Sequence, residues 1–102
     1  MSSSKRAARI ARFQREQAQR MAAQLQHSID DLERLAAKLD LEICAEEERT
    51  RNPDPSDVAY SMRAKAARAR RDNLRHSSDE LRLHLEAVLA VLDHGEEQRS
   101  AA

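Results

Sequence analysis

The sequence contains no tryptophan, one tyrosine, one phenylalanine, one glycine, two prolines and one cysteine among its 102 residues. So few large side chains exclude a thick globular core, and the lone Cys44 excludes an internal disulfide, leaving it as a small helical hydrophobe. Scarcity of glycine excludes a glycine-rich phosphate loop, and no other catalytic motif is present, so no enzymatic activity and no cofactor are expected. No apolar run approaches the roughly 18 residues of a membrane span, and the basic N-terminal stretch lacks the apolar segment of a secretory signal. A cytosolic protein without direct membrane insertion is the expectation.

What the sequence does hold is alanine, leucine, arginine, glutamate and glutamine, the composition of long helices. An apolar share of 40% built so largely of alanine suits a thin seam between helices. Both prolines lie in Asn52-Pro53-Asp54-Pro55-Ser56. Each removes a backbone donor and turns the preceding residue away from helical geometry, so a helix arriving from the N-terminal side ends near Thr50. Asp54 suits an N-cap, Pro55 a first helical position and Asp57 a first turn, so a second helix is expected at once. The fold expected is all-α: an antiparallel two-helix coiled-coil hairpin over 5–96. Its first helix covers about 5–49 and can be capped by Ser3 or Ser4; the corner covers 50–55 and the second helix about 56–94. Gly95 is the expected stop, and 1–4 and 97–102 are loose tails.

Periodicity supplies the seam. Leu25, Ile29, Leu32, Ala36, Leu39 and Ile43 recur at alternating spacings of four and three, with Met21, Ser28 and Leu35 widening the same face. In the second helix Tyr60, Ala67, Leu74, Leu81 and Val88 are seven apart, and Ala64, Arg71, Ser78, Leu85 and Leu92 take the alternate positions. A corner centred on Pro53 sets Leu25 opposite Leu81, Leu32 opposite Leu74 and Leu39 opposite Ala67.

Charge gives the same direction independently. Lys5, Arg6, Arg9, Arg12, Arg15 and Arg20 face only Glu16 in 5–20, whereas 30–49 hold eight acids against Arg34, Lys38 and Arg49. The second helix repeats this order, with six bases against Asp72 in 62–76 and six acids against Arg82 in 79–98. Base first and acid last opposes the helix dipole. Folding back at the corner sets each acidic half beside a basic one, which resolves the conflict.

Candidate sites are few. His27 and His76 sit near one register position, but a third metal ligand is missing, so no metal site is expected. The arginine-rich stretches are the usual footprint of nucleic-acid binding, yet the formal net charge is zero and aromatics for base stacking are almost absent, so no nucleic acid is expected. The corner is the better candidate for a partner: Val58 and Met62 lie four apart, Tyr60 lies at the seam edge opposite Glu46, and Arg70 and Arg71 add attraction for an acidic partner.

Specific blocks carry a family resemblance. Arg9-Ile10-Ala11-Arg12-Phe13-Gln14, Asp31-Leu32-Glu33-Arg34-Leu35-Ala36, Leu39-Asp40-Leu41-Glu42-Ile43 and Ala45-Glu46-Glu47-Glu48-Arg49 precede the corner. Asp54-Pro55, Val58-Ala59-Tyr60, Ala64-Lys65-Ala66-Ala67, Arg70-Arg71-Asp72-Asn73-Leu74 and Ser78-Asp79-Glu80-Leu81 follow it. Over about residues 9–92 this order resembles the short alphaproteobacterial branch of the FliJ family, most specifically in the corner and the Arg-Arg-Asp-Asn-Leu block. The resemblance implies a cytoplasmic, non-enzymatic component of flagellar type III export, peripheral to the basal body at the inner membrane. Such a protein looks like the coiled-coil stalk of rotary ATPases. Its implied partners are the export ATPase, the cytoplasmic domain of the export gate and export chaperones. Two departures stand out: the chain reaches only a short way past Leu92, and Ser61 stands where the family pattern has proline, which would make the second helix more continuous. The rival reading is a structural or adaptor coiled coil that forms a homodimer of hairpins.

Overall fold

A computed structural model describes residues 2–101, and the side chains of 3–95. The protein is two long helices packed antiparallel, α1 over Ser2–Thr50 and α2 over Met62–Ala101. It measures 75 × 18 × 16 Å. A helix the length of α1 spans about 74 Å at 1.5 Å per residue, so α1 alone accounts for the long dimension.

The seam runs at alternating three- and four-residue steps in both helices. Ala18, Ala22, Leu25, Ile29, Leu32, Ala36, Leu39, Ile43 and Glu46 are buried or half-buried along α1. Across from them, Tyr60 and then Ala64, Ala67, Arg71, Leu74, Ser78, Leu81, Leu85, Val88 and Leu92 are buried or half-buried in the same rhythm. Leu39, Ile43 and Ala67 form one buried cluster, with Leu74 packed against it. Each leucine so buried contributes roughly 1.5 to 3 kcal/mol, against about 0 to 1 for an exposed ion pair. Apolar side chains therefore hold the helices together while charge sets their direction.

The three residues expected to widen the seam face, Met21, Ser28 and Leu35, lie outside the seam. Met21 and Leu35 are 45% and 48% exposed; Ala22 takes the first of these turns, and the expected seam residue Ala36 alone takes the second. One residue along a helix is about 100° around it, so the heptad phase decides burial and side-chain size does not. The small alanines are matched across the register by large partners, Leu85 opposite Ala22 and Arg71 opposite Ala36.

Burial is uneven along the hairpin. Among the described residues Ile29, Ala36, Leu39, Ile43, Tyr60, Ala64 and Ala67 are the buried apolar ones, all in the half nearer the corner. In the open half Leu25, Leu81, Leu85, Val88 and Leu92 are half-buried. There a groove of about 850 Å³ lies between α1, where Ala8, Ala11 and Ala18 alternate with Arg12, Arg15 and Gln19, and Val91, Leu92 and Gly95 of α2.

Charges across the seam meet as their order along the chain requires. Arg68 pairs with Glu47 at 3.6 Å, Arg71 and Arg75 both reach Asp40 at 3.0 and 2.7 Å, and Arg82 pairs with Glu33. The basic half of α2 thus lies on the acidic half of α1.

Element ends differ from the sequence reading at three places. Helix α2 begins at Met62 rather than near residue 56, and the intervening residues form turns. Gly95 does not stop α2, which continues to Ala101. A glycine inside a helix costs about 1 kcal/mol relative to alanine, but it ends one only when it takes a left-handed conformation, and Gly95 does not. Helix α1 already includes Ser2, so the residues read as loose tails are helical as far as they are described; Met1 and Ala102 lie outside the described residues.

Candidate interaction surface at the corner

Helix α1 stops without glycine. Arg51 takes a left-handed conformation with φ of 53°, its amide donates to the Glu48 carbonyl at 3.2 Å, and the Asn52 amide donates to the Glu47 carbonyl at 3.2 Å. These paired bonds satisfy carbonyls that the helix end leaves open. Pro53 and Pro55 then prevent helical continuation.

A run of side-chain-closed turns follows, which is why the corner is longer than expected. Asn52 Oδ1 accepts from the Asp54 amide at 3.2 Å; Asp54 Oδ1 accepts from the Ser56 amide at 3.0 Å and hydroxyl at 2.7 Å; Asp57 Oδ1 accepts from the Ala59 amide at 2.9 Å. Asn, Asp and Ser compete for backbone amides in this way and hold the chain out of a helix. The two Ser56 hydrogen bonds keep the Asp54 carboxyl below its usual range.

Ser61 caps α2. Its Oγ accepts from the Ala64 amide at 3.2 Å, and its carbonyl accepts from the Lys65 amide at 3.0 Å. Ser61 therefore starts α2 here, instead of letting a second helix run continuously through the corner.

The same hydroxyl ties the helices together, donating to Glu46 Oε1 at 2.8 Å. Glu46 is 8% exposed at a seam position and also receives Arg49 Nε at 3.0 Å and Nη2 at 2.5 Å. Hydrogen bonds from Arg49 first and Ser61 second lower the Glu46 carboxyl to about 2. Alongside, the Tyr60 hydroxyl donates to Glu47 Oε2 at 2.6 Å and accepts from Arg68 Nε at 3.1 Å, while the Arg68 guanidinium lies 5.9 Å from the ring centroid. Burial, and then the Glu47 carboxylate, raise the Tyr60 phenol above its ordinary value.

The five candidate partner residues separate accordingly. Tyr60 is 5% exposed and belongs to the seam, and Arg71 is held by Asp40 and Asp72, so neither is presented outward. Arg70 is exposed. Val58 and Met62 are 103% and 77% exposed, and they do not share a helical face because Val58 precedes α2. Both project from a corner whose backbone is tied off on every side. Sequence reasoning missed Glu46 and Ser61 as the tie between the helices. The available signals were that Glu46 continues the α1 heptad and that Ser61 stands three residues before the seam residue Ala64.

Other candidates are not brought together. His27 lies 3.4 Å from Asp31 and His76 lies 3.1 Å from Glu80, each beside an acid of its own helix. Among the described residues no group of three or more His, Cys, Asp or Glu side chains could hold a metal ion, and no helix is long and apolar enough to cross a membrane. Cys44 is exposed, since it lies one residue off the seam at Ile43.

Comparison of the chain with protein-family models, with curated proteins and with solved structures returns no match.

Proposed function

We propose that this protein is a non-enzymatic stalk and chaperone-escort component of flagellar type III export. In this reading it works in the cytoplasm beside the basal body and binds the export ATPase and the cytoplasmic domain of the export gate. The observation that carries the reading is a slender hairpin, 75 Å long, whose tied-off corner leaves Val58 and Met62 exposed. A rod of this shape suits a protein that spans two partners, and apolar side chains on a rigid tip suit an anchor whose ordering cost is already met by the fold. The resemblance of the corner and of Arg70-Arg71-Asp72-Asn73-Leu74 to the FliJ family supplies the identity of the partners.

Direct binding tests it. The full chain, immobilised through its N-terminus, is titrated with the purified export ATPase and, separately, with the cytoplasmic gate domain. Saturable binding to both is expected; binding to neither would refute the reading.

A further inference from the structure

The two flanks of the hairpin differ in kind. Glu33, Asp40 and Glu47 follow the seam residues Leu32, Leu39 and Glu46, and Arg68, Arg75 and Arg82 follow Ala67, Leu74 and Leu81. Antiparallel packing brings these two series onto one side, where they form the ion pairs Glu47–Arg68, Asp40–Arg75 and Glu33–Arg82. That flank carries its own counter-charges.

The other flank carries almost none. On α1 it is made by Ile10, Gln14, Gln17, Met21, Gln24 and Ser28, all exposed and all uncharged, and it continues past Asp31, which pairs with His27 and Arg34 of its own helix, to Leu35. On α2 the residues on the same side are Ser77, His84, Ala87 and Val91, likewise exposed. Glu80 is the one acid among them, and it lies 3.1 Å from His76 of its own helix. In a chain that is 35% charged, a side whose one base is Arg70, at its corner end opposite Leu35, contrasts with its surroundings. Ile10, Met21, Leu35 and Val91 expose 50%, 45%, 48% and 66% of their surface along it.

We propose that a second copy of this chain docks on this uncharged flank, forming a four-helix dimer about a two-fold axis parallel to the hairpin's long axis. The flank from residue 7 to 35 is about 42 Å long at 1.5 Å per residue. With a hairpin 18 Å wide, its footprint is on the order of 750 Å², close to the roughly 800 Å² per partner of a stable interface. A second copy presents the same glutamines, serines and apolar groups, so the contact buries scarcely any charge, and the glutamine amides can both donate and accept across it.

Charge also selects the axis. With the axis along the hairpin, α1 of one copy lies over α2 of the other, so the basic 5–20 meets the acidic 79–98 and the acidic 30–49 meets the basic 62–76. Stacking the same flank in the opposite direction sets α1 on α1 and α2 on α2: the basic 5–20 then meets 22–37, where three acids stand against one arginine, and the acidic 79–98 meets 72–91, itself net acidic, so the charges match less well. Both corners therefore sit at the same end of the dimer, with Val58 and Met62 of each copy outside the interface.

Sedimentation equilibrium of the full chain, over a range reaching about 100 µM, reads the mass directly, since association is concentration-dependent. A dimer is expected, and Met21→Glu with Val91→Glu is expected to weaken it at least about tenfold with helicity retained. Gln14→Lys with Gln24→Lys, at exposed positions that cannot unfold the seam, is expected to weaken it likewise, whereas Gln26→Lys on the ion-paired flank leaves it intact. Spin labels on the exposed native Cys44 are expected under about 35 Å apart; stacking in the opposite direction places them about 50 Å apart or more. A monomer at every concentration, a dimer indifferent to both flank variants, or the longer label separation would overturn the proposal. So would a monomeric chain whose flank variants lose binding to another protein, which would assign the flank to that partner.

Discussion

The Ser61 hydroxyl donates to Glu46 Oε1 at 2.8 Å while its oxygen accepts the Ala64 amide at 3.2 Å. One side chain thus caps α2 and fastens it to α1, so the start of the second helix and the closure of the seam are a single event. Ser61→Ala removes both contacts. Loss of an N-cap costs about 0.5 to 2 kcal/mol, and Glu46 is left without its cross-helix donor, so the upper part of that range is expected in urea denaturation. Ser61→Asp would keep the cap but place a carboxylate against Glu46, and is expected to be no better than alanine. A Ser61→Ala protein as stable as the wild type would show that the cap is not where the corner is held.

Acid stability follows from the same carboxylate. Glu46 is lowered to about 2 by Arg49 and then Ser61, so its ionised form is favoured by folding. The stabilisation is present above the ordinary carboxylate range and is lost as pH falls through the folded-state value. Asp54, lowered by Ser56, acts in the same direction. Thermal melts between about pH 4.5 and 2 are expected to fall more steeply for the wild type than for Glu46→Gln. Equal slopes would contradict the assignment.

The end of α1 stores a smaller strain. Arg51 holds φ of 53° without being glycine, a conformation that costs a side-chain-bearing residue roughly 1 to 2 kcal/mol. Arg51→Gly is expected to raise stability by up to about that amount, offset by the greater entropy of glycine in the unfolded chain. Arg51→Val is expected to lower it, because a β-branched side chain tolerates positive φ poorly. Chemical denaturation of the three proteins checks the order; a valine variant at least as stable as the glycine one would contradict it.

Much of the fold was legible in the sequence because two independent patterns agreed. The α2 heptad from Tyr60 to Leu92 is the one observed, polar Arg71 and Ser78 included, since spacing alone placed them. Register was legible from Leu39 opposite Ala67, which meet in the buried cluster. In α1, Met21 and Leu35 attracted a wider seam by size, while Ala36, assigned by spacing, and Ala22, which was not, held the phase. The corner was legible as a break but not in its length. Asp54-Pro55 has the composition of a helix start, and only the competing turns closed by Asn52, Asp54 and Asp57 move that start to Ser61. At the candidate site, Tyr60 and Arg71 were chosen for chemistry that the fold uses internally, in hydrogen bonds to Glu47 and Asp40. Val58 and Met62 remain exposed, because no seam position falls on either of them.

The most direct measurement of the proposed docking tip is the double change Val58→Ser with Met62→Ser, read by both thermal melting and binding to the export gate domain and ATPase. Because both side chains are exposed, the melt is expected within about 0.5 kcal/mol of the wild type, while binding weakens at least about tenfold. Binding that survives together with a protein that unfolds earlier would contradict the assignment, showing that these two residues hold the corner together and that partners engage the hairpin elsewhere.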